Sequence, residues 1–170
     1  FGRLGWHVSE VGYGMWGMAG WTGSDDEQSF ASLDRAIALG CNFFDTAWAY
    51  GDGHSERLLG ATLKRHPDKR LYIATKIPPK NRKWPARPSY TLDEVFPADY
   101  IREYTEKSLA NIGVSTLDLQ QLGKSDYGLA EVTGTGDGRA FLFAGPDPAE
   151  LVEVDKASGA MYVDRILHTP

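Results

Sequence analysis

The stretch from Asn42 to Lys76, NFFDTAWAYGDGHSERLLGATLKRHPDKRLYIATK, decides the fold that we predict for this chain. Two short apolar runs in it end in Asp45 and Lys76, and one helix-length segment separates them. Such a pattern is typical of neighbouring parallel strands, whose carboxyl ends meet at the same edge of a sheet. We therefore expect Asp45 and Lys76 at one edge, with Tyr50 in the loop just above. A carboxylate, a phenol and an amine so placed could tune the tyrosine for proton transfer.

Strand and helix patterns alternate on both sides of this stretch. Before it, Val11–Met15 reads as a strand, and a helix begins after Ser24, whose hydroxyl is placed to cap it. After it come a long Pro-rich connection, a helix at Asp99–Ile112 and a strand at Thr116–Leu122. The alternation predicts an α/β fold with four parallel strand–helix units, that is, a partial (β/α) barrel.

The pattern changes near residue 123. Residues 123 to 138 are small and polar, Arg139–Ala144 reads as a strand, and two further runs, Leu151–Asp155 and Ala160–Ile166, have the pattern of a β-hairpin. We therefore predict an antiparallel β tail after the half barrel. The predicted division is a half-barrel domain at 1–122, a linker or unassigned segment at 123–146, and a hairpin tail at 147–170.

Composition limits the classes of partner. The chain has 170 residues and a net charge of −5, which gives no electrostatic footprint for nucleic acid. No apolar run approaches the roughly 20 residues that cross a bilayer, so we expect no membrane partner. A single cysteine, Cys41, excludes an internal disulfide and fits a reducing compartment, which predicts a cytoplasmic location.

Two polar clusters invite a functional interpretation that their spacing does not favour. His54 with Asp52 and Glu56 fits no tetrahedral or EF-hand metal pattern, and a polar helix N-terminus explains the three residues better. The run Gly134–Gly138 lacks the Lys-Ser/Thr and the following helix of a phosphate-binding loop, and we interpret it as a turn. We therefore predict no metal site.

Four segments of residues 1–122 together resemble the aldo-keto reductase family. They are VSEVGYGMWGM, ALGCNFFDTAWAYGDGHSERLLGATL, LYIATK and DYIREYTEKSLANIGVSTLDLQQL. The resemblance implies a (β/α)8 barrel that reduces a small-molecule carbonyl substrate, an aldehyde or ketone, with NADPH. It also implies a site at the carboxyl ends of the strands, as in barrel enzymes generally.

The resemblance also implies roles for individual residues. Tyr50 would donate a proton to the carbonyl oxygen, Lys76 would lower the pKa of the tyrosine through its charge, and Asp45 would hold the lysine. Trp48, beside the tyrosine, and Trp84, in the Pro-rich connection, would border the substrate pocket.

The chain departs from the family pattern in two ways. Gly123 stands where the family usually has a histidine that steers the carbonyl, and four strand–helix units are half of a barrel. We therefore expect an incomplete or impaired reductase, with a non-catalytic folded fragment or chimera as the alternative. A half barrel also leaves sheet edges open, which predicts self-association or cover by the β tail.

The tail, from about residue 147 to 170, resembles an N-terminal hairpin of the family-I inorganic pyrophosphatases. Glu153 and Arg165 match positions that face pyrophosphate and metal there, whereas Leu151 stands where a phosphate-binding lysine is usual. This resemblance implies a third possible function, magnesium-dependent hydrolysis of pyrophosphate, and a chain composed of parts of two enzymes.

Overall fold

The computed structural model describes residues 4–21, 23–83 and 90–122, and the backbone of 131–134, 139–144, 149–155 and 161–167. The chain divides into two compact units. One comprises Phe1–Thr75 with Glu106–Leu117, and the other comprises Lys76–Thr105 with Asp118–Pro170.

Four parallel strands alternate with helices along residues 13 to 121, which confirms the predicted partial α/β barrel. The strands are neighbours in the sheet in chain order, from β1 to β4. The elements are β1 (Tyr13–Gly14), a 3-10 helix (Trp16–Met18), α1 (Asp26–Ala38), β2 (Phe43–Asp45), α2 (His54–Arg65), β3 (Tyr72–Lys76), α3 (Leu92–Val95), α4 (Ala98–Ile112) and β4 (Leu119–Gln121).

The pairing of β2 with β3 confirms the predicted parallel neighbours. Phe44 lies opposite Ile73, and Asp45 lies opposite Ala74. One residue beyond the end of β2, the amide of Thr46 donates to the carbonyl of Ala74 over 2.8 Å. The ladder thus continues up to the point where the candidate site begins.

Helix α1 begins at a different cap from the one predicted. Asp25, not Ser24, is the N-cap, and its carboxylate accepts a hydrogen bond of 2.9 Å from the amide of Gln28. The hydroxyl of Ser24 instead accepts from the amide of Gly20 over 2.9 Å and closes the preceding loop. The helix therefore starts one residue later, because either side chain can cap and the loop already uses Ser24.

The core of the first unit lies between its sheet and its helices. Phe44, Leu33 and Leu59 are completely buried, so each contributes about 1.5–3 kcal/mol of apolar burial. The connected cluster of buried apolar side chains is Met15, Met18, Leu33, Ile37, Phe44, Leu58, Leu59, Leu71, Ile73 and Ile112.

A glycine lets α2 and the last turn of α4 approach closely. A Cβ atom at Gly60 would lie 2.4 Å from the carbonyl oxygen of Ile112. No side chain fits at that distance, so the backbone of one helix rests directly on the other. This contact fixes where α4 lies relative to the first turns of α2.

The second unit contains a short helix that the sequence pattern did not predict. Helix α3 lies within the Pro-rich connection and begins after Thr91, whose hydroxyl accepts a 3.3 Å hydrogen bond from the amide of Glu94. In α4 the rings of Tyr100 and Tyr104 lie 4.3 Å apart, and Arg82 donates a 2.8 Å hydrogen bond to the hydroxyl of Tyr104.

The tail forms a second, antiparallel sheet in the order β5-β6-β7-β8. Its strands are β5 (Glu131–Gly134), β6 (Arg139–Ala144), β7 (Ala149–Asp155) and β8 (Met161–Leu167). The predicted antiparallel tail and its hairpin, now β7 and β8, are confirmed. Strand β5 was not predicted, because its segment EVTG reads as part of a polar linker.

The helices of the described ranges are too short or too polar to cross a bilayer.

Replacing Gly60 with alanine tests the contact between α2 and α4. We expect Gly60→Ala to lower the free energy of unfolding by about 1–3 kcal/mol, because the added methyl group overlaps the carbonyl of Ile112. Within a helix, alanine is more favourable than glycine by about 1 kcal/mol. The measured loss of stability is therefore the cost of the clash minus this gain. Urea denaturation measures it, with Gly17→Ala as the control, since a Cβ there meets no atom within 4 Å. An equally stable Gly60→Ala variant would contradict the contact.

Tyr100 gives the second unit a pH dependence. Burial, and then the neighbouring phenol of Tyr104, raise the pKa of Tyr100 above its ordinary value of about 10. Below pH 10 the phenol is neutral in both states. Above it, the unfolded chain ionises first, so stability falls as pH rises, by at most about 1.4 kcal/mol per pH unit. Urea denaturation between pH 8 and 11 should show a shallower fall for Tyr100→Phe, and equal slopes would contradict the assignment.

Candidate active site

A tight loop after β2 carries the candidate proton donor. Asp45 is the last residue of β2, and Tyr50 lies in the loop that leads into α2. The amide of Tyr50 donates to the carbonyl of Ala47 over 3.0 Å, and its own carbonyl accepts from the amide of Ser55 over 3.1 Å. Both backbone groups of the tyrosine are thus held by the loop and by the first turn of α2.

Three consecutive residues with positive φ make this loop possible. They are Gly51 (+68°), Asp52 (+49°) and Gly53 (+82°). At Gly51 a Cβ atom would also lie 2.6 Å from the carbonyl oxygen of Ala19, in the loop that follows β1. A side chain at Gly51 therefore meets both backbone strain and a clash next to Tyr50.

An aromatic ring packs against the half-buried tyrosine. The ring of Trp21 meets that of Tyr50 edge-on, with ring centres 6.3 Å apart, and the ring of Trp16 lies 5.4 Å from that of Trp21. Trp48, a predicted pocket residue, lies in the same loop as Tyr50, and the amine of Lys107 stands 5.9 Å from its ring centre. The sequence analysis did not predict that Trp16 and Trp21 would pack beside Tyr50.

Ser55 ties the ends of β1 and β2 together from inside the fold. Its hydroxyl, completely buried, accepts a 2.8 Å hydrogen bond from Thr46 and donates to the carbonyl of Met15 over 3.2 Å. Thr46 follows Asp45 directly. The hydroxyl pair therefore fixes the backbone next to the candidate carboxylate.

Glu56, the next residue of α2, makes a second buried connection. Its side chain is completely buried, and its two carboxylate oxygens each accept a 2.7 Å hydrogen bond, one from Thr75 and one from Asn111. Glu56 thus lies at the polar start of a helix, as the sequence indicated, but its side chain is inside the fold. Glutamate is almost never fully buried, so composition alone gave no signal for it.

Of the remaining predicted site residues, one lies in the second unit and the other lies outside the described residues. Lys76 is the last residue of β3 and is half-buried. It lies two residues after Ala74, which pairs with Asp45 across the two strands. Trp84 and Gly123 lie outside the described residues. Asp45 and Lys76 thus both end a strand, as predicted.

Two other features of the described residues do not belong to this site. A cavity of about 420 Å³ lies near the amino ends of β1 and β2, lined by residues such as Val11, Leu39 and Cys41. Within the described ranges no group of three or more His, Cys, Asp or Glu could hold a metal ion. His54 instead contacts the carboxylate of Asp26 over 2.8 Å.

The chain belongs to the aldo/keto reductase family, whose model matches residues 10–133.

Known relatives agree with this assignment. The chain is 37% identical over 123 residues to the aldo-keto reductase str7 of Strobilurus tenacellus. This match covers 66% of this chain and 32% of that protein. Among known structures it resembles the glycerol dehydrogenase AKR11B4 of Gluconobacter oxydans, with 32% identity, a TM-score of 0.52, and coverage of 68% of this chain and 35% of the other. It also resembles an aldo/keto reductase of Klebsiella pneumoniae in complex with NADP and acetate, with 26% identity, a TM-score of 0.51, and the same coverage of 68% and 35%. The chain spans about a third of the length of these relatives.

Gly51 offers a test of the loop that carries Tyr50. Gly51→Ala combines the cost of a positive φ, about 1–2 kcal/mol, with the clash against Ala19. Gly23→Ala is a matched control, because its φ of +73° is similar and a Cβ there meets no atom within 4 Å. We expect Gly51→Ala to lower the free energy of unfolding in urea clearly more than Gly23→Ala does. Equal losses would mean that the close approach to Ala19 does not exist.

Proposed function

We propose that this chain carries the proton-transfer half of an aldo-keto reductase site, which reduces an aldehyde or ketone with NADPH. Tyr50 donates the proton to the carbonyl oxygen, Lys76 assists the tyrosine by its charge, and Asp45 holds the lysine. Trp48 and Trp84 border the substrate pocket. This assignment extends the family resemblance to particular residues.

One observation carries the proposal. In a chain of this family, Asp45 and Lys76 end two strands of one parallel sheet, and Tyr50 lies in a loop directly after the first of them. The pairing of Asp45 with Ala74 supports a short path from the carboxylate to the lysine two residues further along β3. Sites of (β/α) barrels are built at these carboxyl ends of strands.

The residues present fit the protonic part of the reaction. A phenol close to an ammonium group can give up its proton to a developing alkoxide, and a positioned acid of this kind contributes about 10²–10⁴-fold to a rate. When bound, NADPH supplies the hydride for the carbonyl carbon. The Klebsiella pneumoniae relative binds NADP, which supports this choice of cofactor. None of the described residues is assigned to hold it.

The substrate is proposed only as a class. The name of the Gluconobacter oxydans relative, a glycerol dehydrogenase, supports a small carbonyl compound or its alcohol. The ring of Trp21 beside Tyr50, with Trp16 packed against Trp21, supports a substrate that offers an apolar face. Cytoplasmic location stays a prediction from the single cysteine.

Replacing Tyr50 with phenylalanine tests the assignment of the proton donor. If the chain reduces a carbonyl compound, Tyr50→Phe should lower kcat by about 10²–10⁴-fold, because only the hydroxyl is lost. Oxidation of NADPH, followed by absorbance with a panel of small aldehydes and ketones, measures it. Tyr13→Phe is the matched control, since its hydroxyl contacts Ser32 on α1 and lies outside the site. A Tyr50→Phe variant as active as Tyr13→Phe would contradict the role.

The rival function is that of a folded, non-catalytic part of a reductase. Titration of the chain into NADPH, followed by nicotinamide fluorescence, separates the two. Binding at micromolar concentrations supports the reductase. Absence of binding at high micromolar concentrations supports the non-catalytic alternative and overturns the proposal for this chain.

Two further predictions concern the tail and the sheet edges. Phosphate release from pyrophosphate with Mg²⁺ tests the pyrophosphatase resemblance of residues 147–170, in which Glu153 and Arg165 would face the ligand. Light scattering coupled to size exclusion tests self-association through the edges of the first sheet. These remain predictions from the sequence.

A further inference from the structure

Glu56 is a buried acid that the proposed chemistry does not use. It lies in the first turn of α2 and has no exposed surface. Both carboxyl oxygens accept a hydrogen bond, one from Thr75 and one from Asn111. Burying a polar group without hydrogen bonds is costly, so these two donors stabilise Glu56 inside the fold.

The first donor places this acid next to a candidate catalytic residue. Thr75 is completely buried, donates to Glu56 over 2.7 Å and immediately precedes Lys76 in β3. Successive side chains of a strand point to opposite faces. Holding Thr75 towards α2 therefore fixes the rotation of the strand end, and with it the direction in which Lys76 leaves the backbone.

The second donor holds the carboxylate against rotation. Asn111, in the last turn of α4, donates to the other oxygen of Glu56 over 2.7 Å. Its amide lies over Gly53, where a Cβ atom would come within 2.3 Å of the amide nitrogen. The close packing of α2 on α4 therefore restricts the position of the Asn111 side chain, and the hydrogen bond from Asn111 restricts the orientation of Glu56.

Ser55, which precedes Glu56 in α2, makes a corresponding contact at the end of β2. Ser55 holds Thr46, and Thr46 follows Asp45 just as Thr75 precedes Lys76. The first turn of α2 thus has one buried polar side chain for each of the two strands that end in the candidate site. A general stabilising role would not require both contacts to fall directly beside those residues.

We propose that Glu56 is a positioning residue for Lys76, acting through Thr75, with Asn111 fixing its second oxygen. The inference rests on the proposed function, because it gives Lys76 a task that requires exact placement. It adds a residue to the site that touches neither substrate nor cofactor.

Removing one hydroxyl group tests this inference. Thr75→Val keeps the β-branched shape and deletes the donor to Glu56, whereas Thr75→Ser keeps the donor. Thr62→Val is the matched control. Thr62 is also completely buried, but its hydroxyl donates to Leu58 within α2, over 2.9 Å.

The first measurement is the rate at which an amine-reactive reagent labels Lys76, read by mass spectrometry relative to the exposed Lys69. This ratio does not depend on catalysis, and the Thr62→Val control shows whether a general loss of stability changes it. A lost hydrogen bond changes a local equilibrium by a factor of roughly 2–10. We expect the ratio to rise by about that factor in Thr75→Val and to stay unchanged in Thr75→Ser and Thr62→Val.

The second measurement is turnover, where the wild-type chain shows it. Thr75→Val should lower kcat by a factor of roughly 10 while the KM for the carbonyl compound changes little, and Thr75→Ser should restore kcat. If the wild-type chain neither binds NADPH nor turns over, the proposed function fails, and the labelling ratio still decides the positioning of Lys76.

A labelling ratio in Thr75→Val equal to that in Thr62→Val overturns the inference. If Thr75→Val does not fold, as judged by loss of cooperative unfolding in urea, Asn111→Ala removes the other donor and carries the same expectation for the labelling ratio. An unchanged ratio in Asn111→Ala would then overturn it.

Discussion

Two buried polar side chains at the start of α2 determine how the strand ends of the first unit are held. Ser55 binds the residue after β2 and the end of β1, and Glu56 binds the end of β3 and the last turn of α4. Apolar packing alone holds a sheet without fixing the rotation of its last residues. Hydrogen bonds inside the core do so, because each must be made in one geometry or leave a buried polar group unsatisfied.

This arrangement depends on glycines that allow close backbone approach. Gly60 brings α2 against Ile112 of α4, and Gly53 leaves room for Asn111 to reach Glu56. Gly51 allows the loop with Tyr50 to pass the carbonyl of Ala19. The helix pair, the loop and the strand ends therefore form one set of mutually dependent contacts, which is the preorganisation that the proposed role of Tyr50 requires.

The sequence predicted the features that depend on local pattern. The apolar runs before Asp45 and Lys76 indicated two strand ends, and the parallel pairing of Asp45 with Ala74 confirms that they are neighbours. It did not predict features that depend on competition or on tertiary burial. Asp25, not Ser24, caps α1. The four residues of α3 are too few to show a helical period. Burial of Glu56 has no local signal, because its donors come from residues 19 and 55 positions away.

Membership of the aldo/keto reductase family and the hydrogen bonds of the first unit both bear on the proposed site. The family resemblance assigns a phenol, an amine and a carboxylate to the site, and the fold brings Asp45 and Tyr50 to the carboxyl end of β2 and Lys76 to the end of β3. A crystal structure of the chain would measure the distance between the Tyr50 hydroxyl and the Lys76 amine. A separation within about 4–6 Å, the range in which one charge acts on a neighbouring group, is expected. A distance well beyond that range would contradict the proposed site.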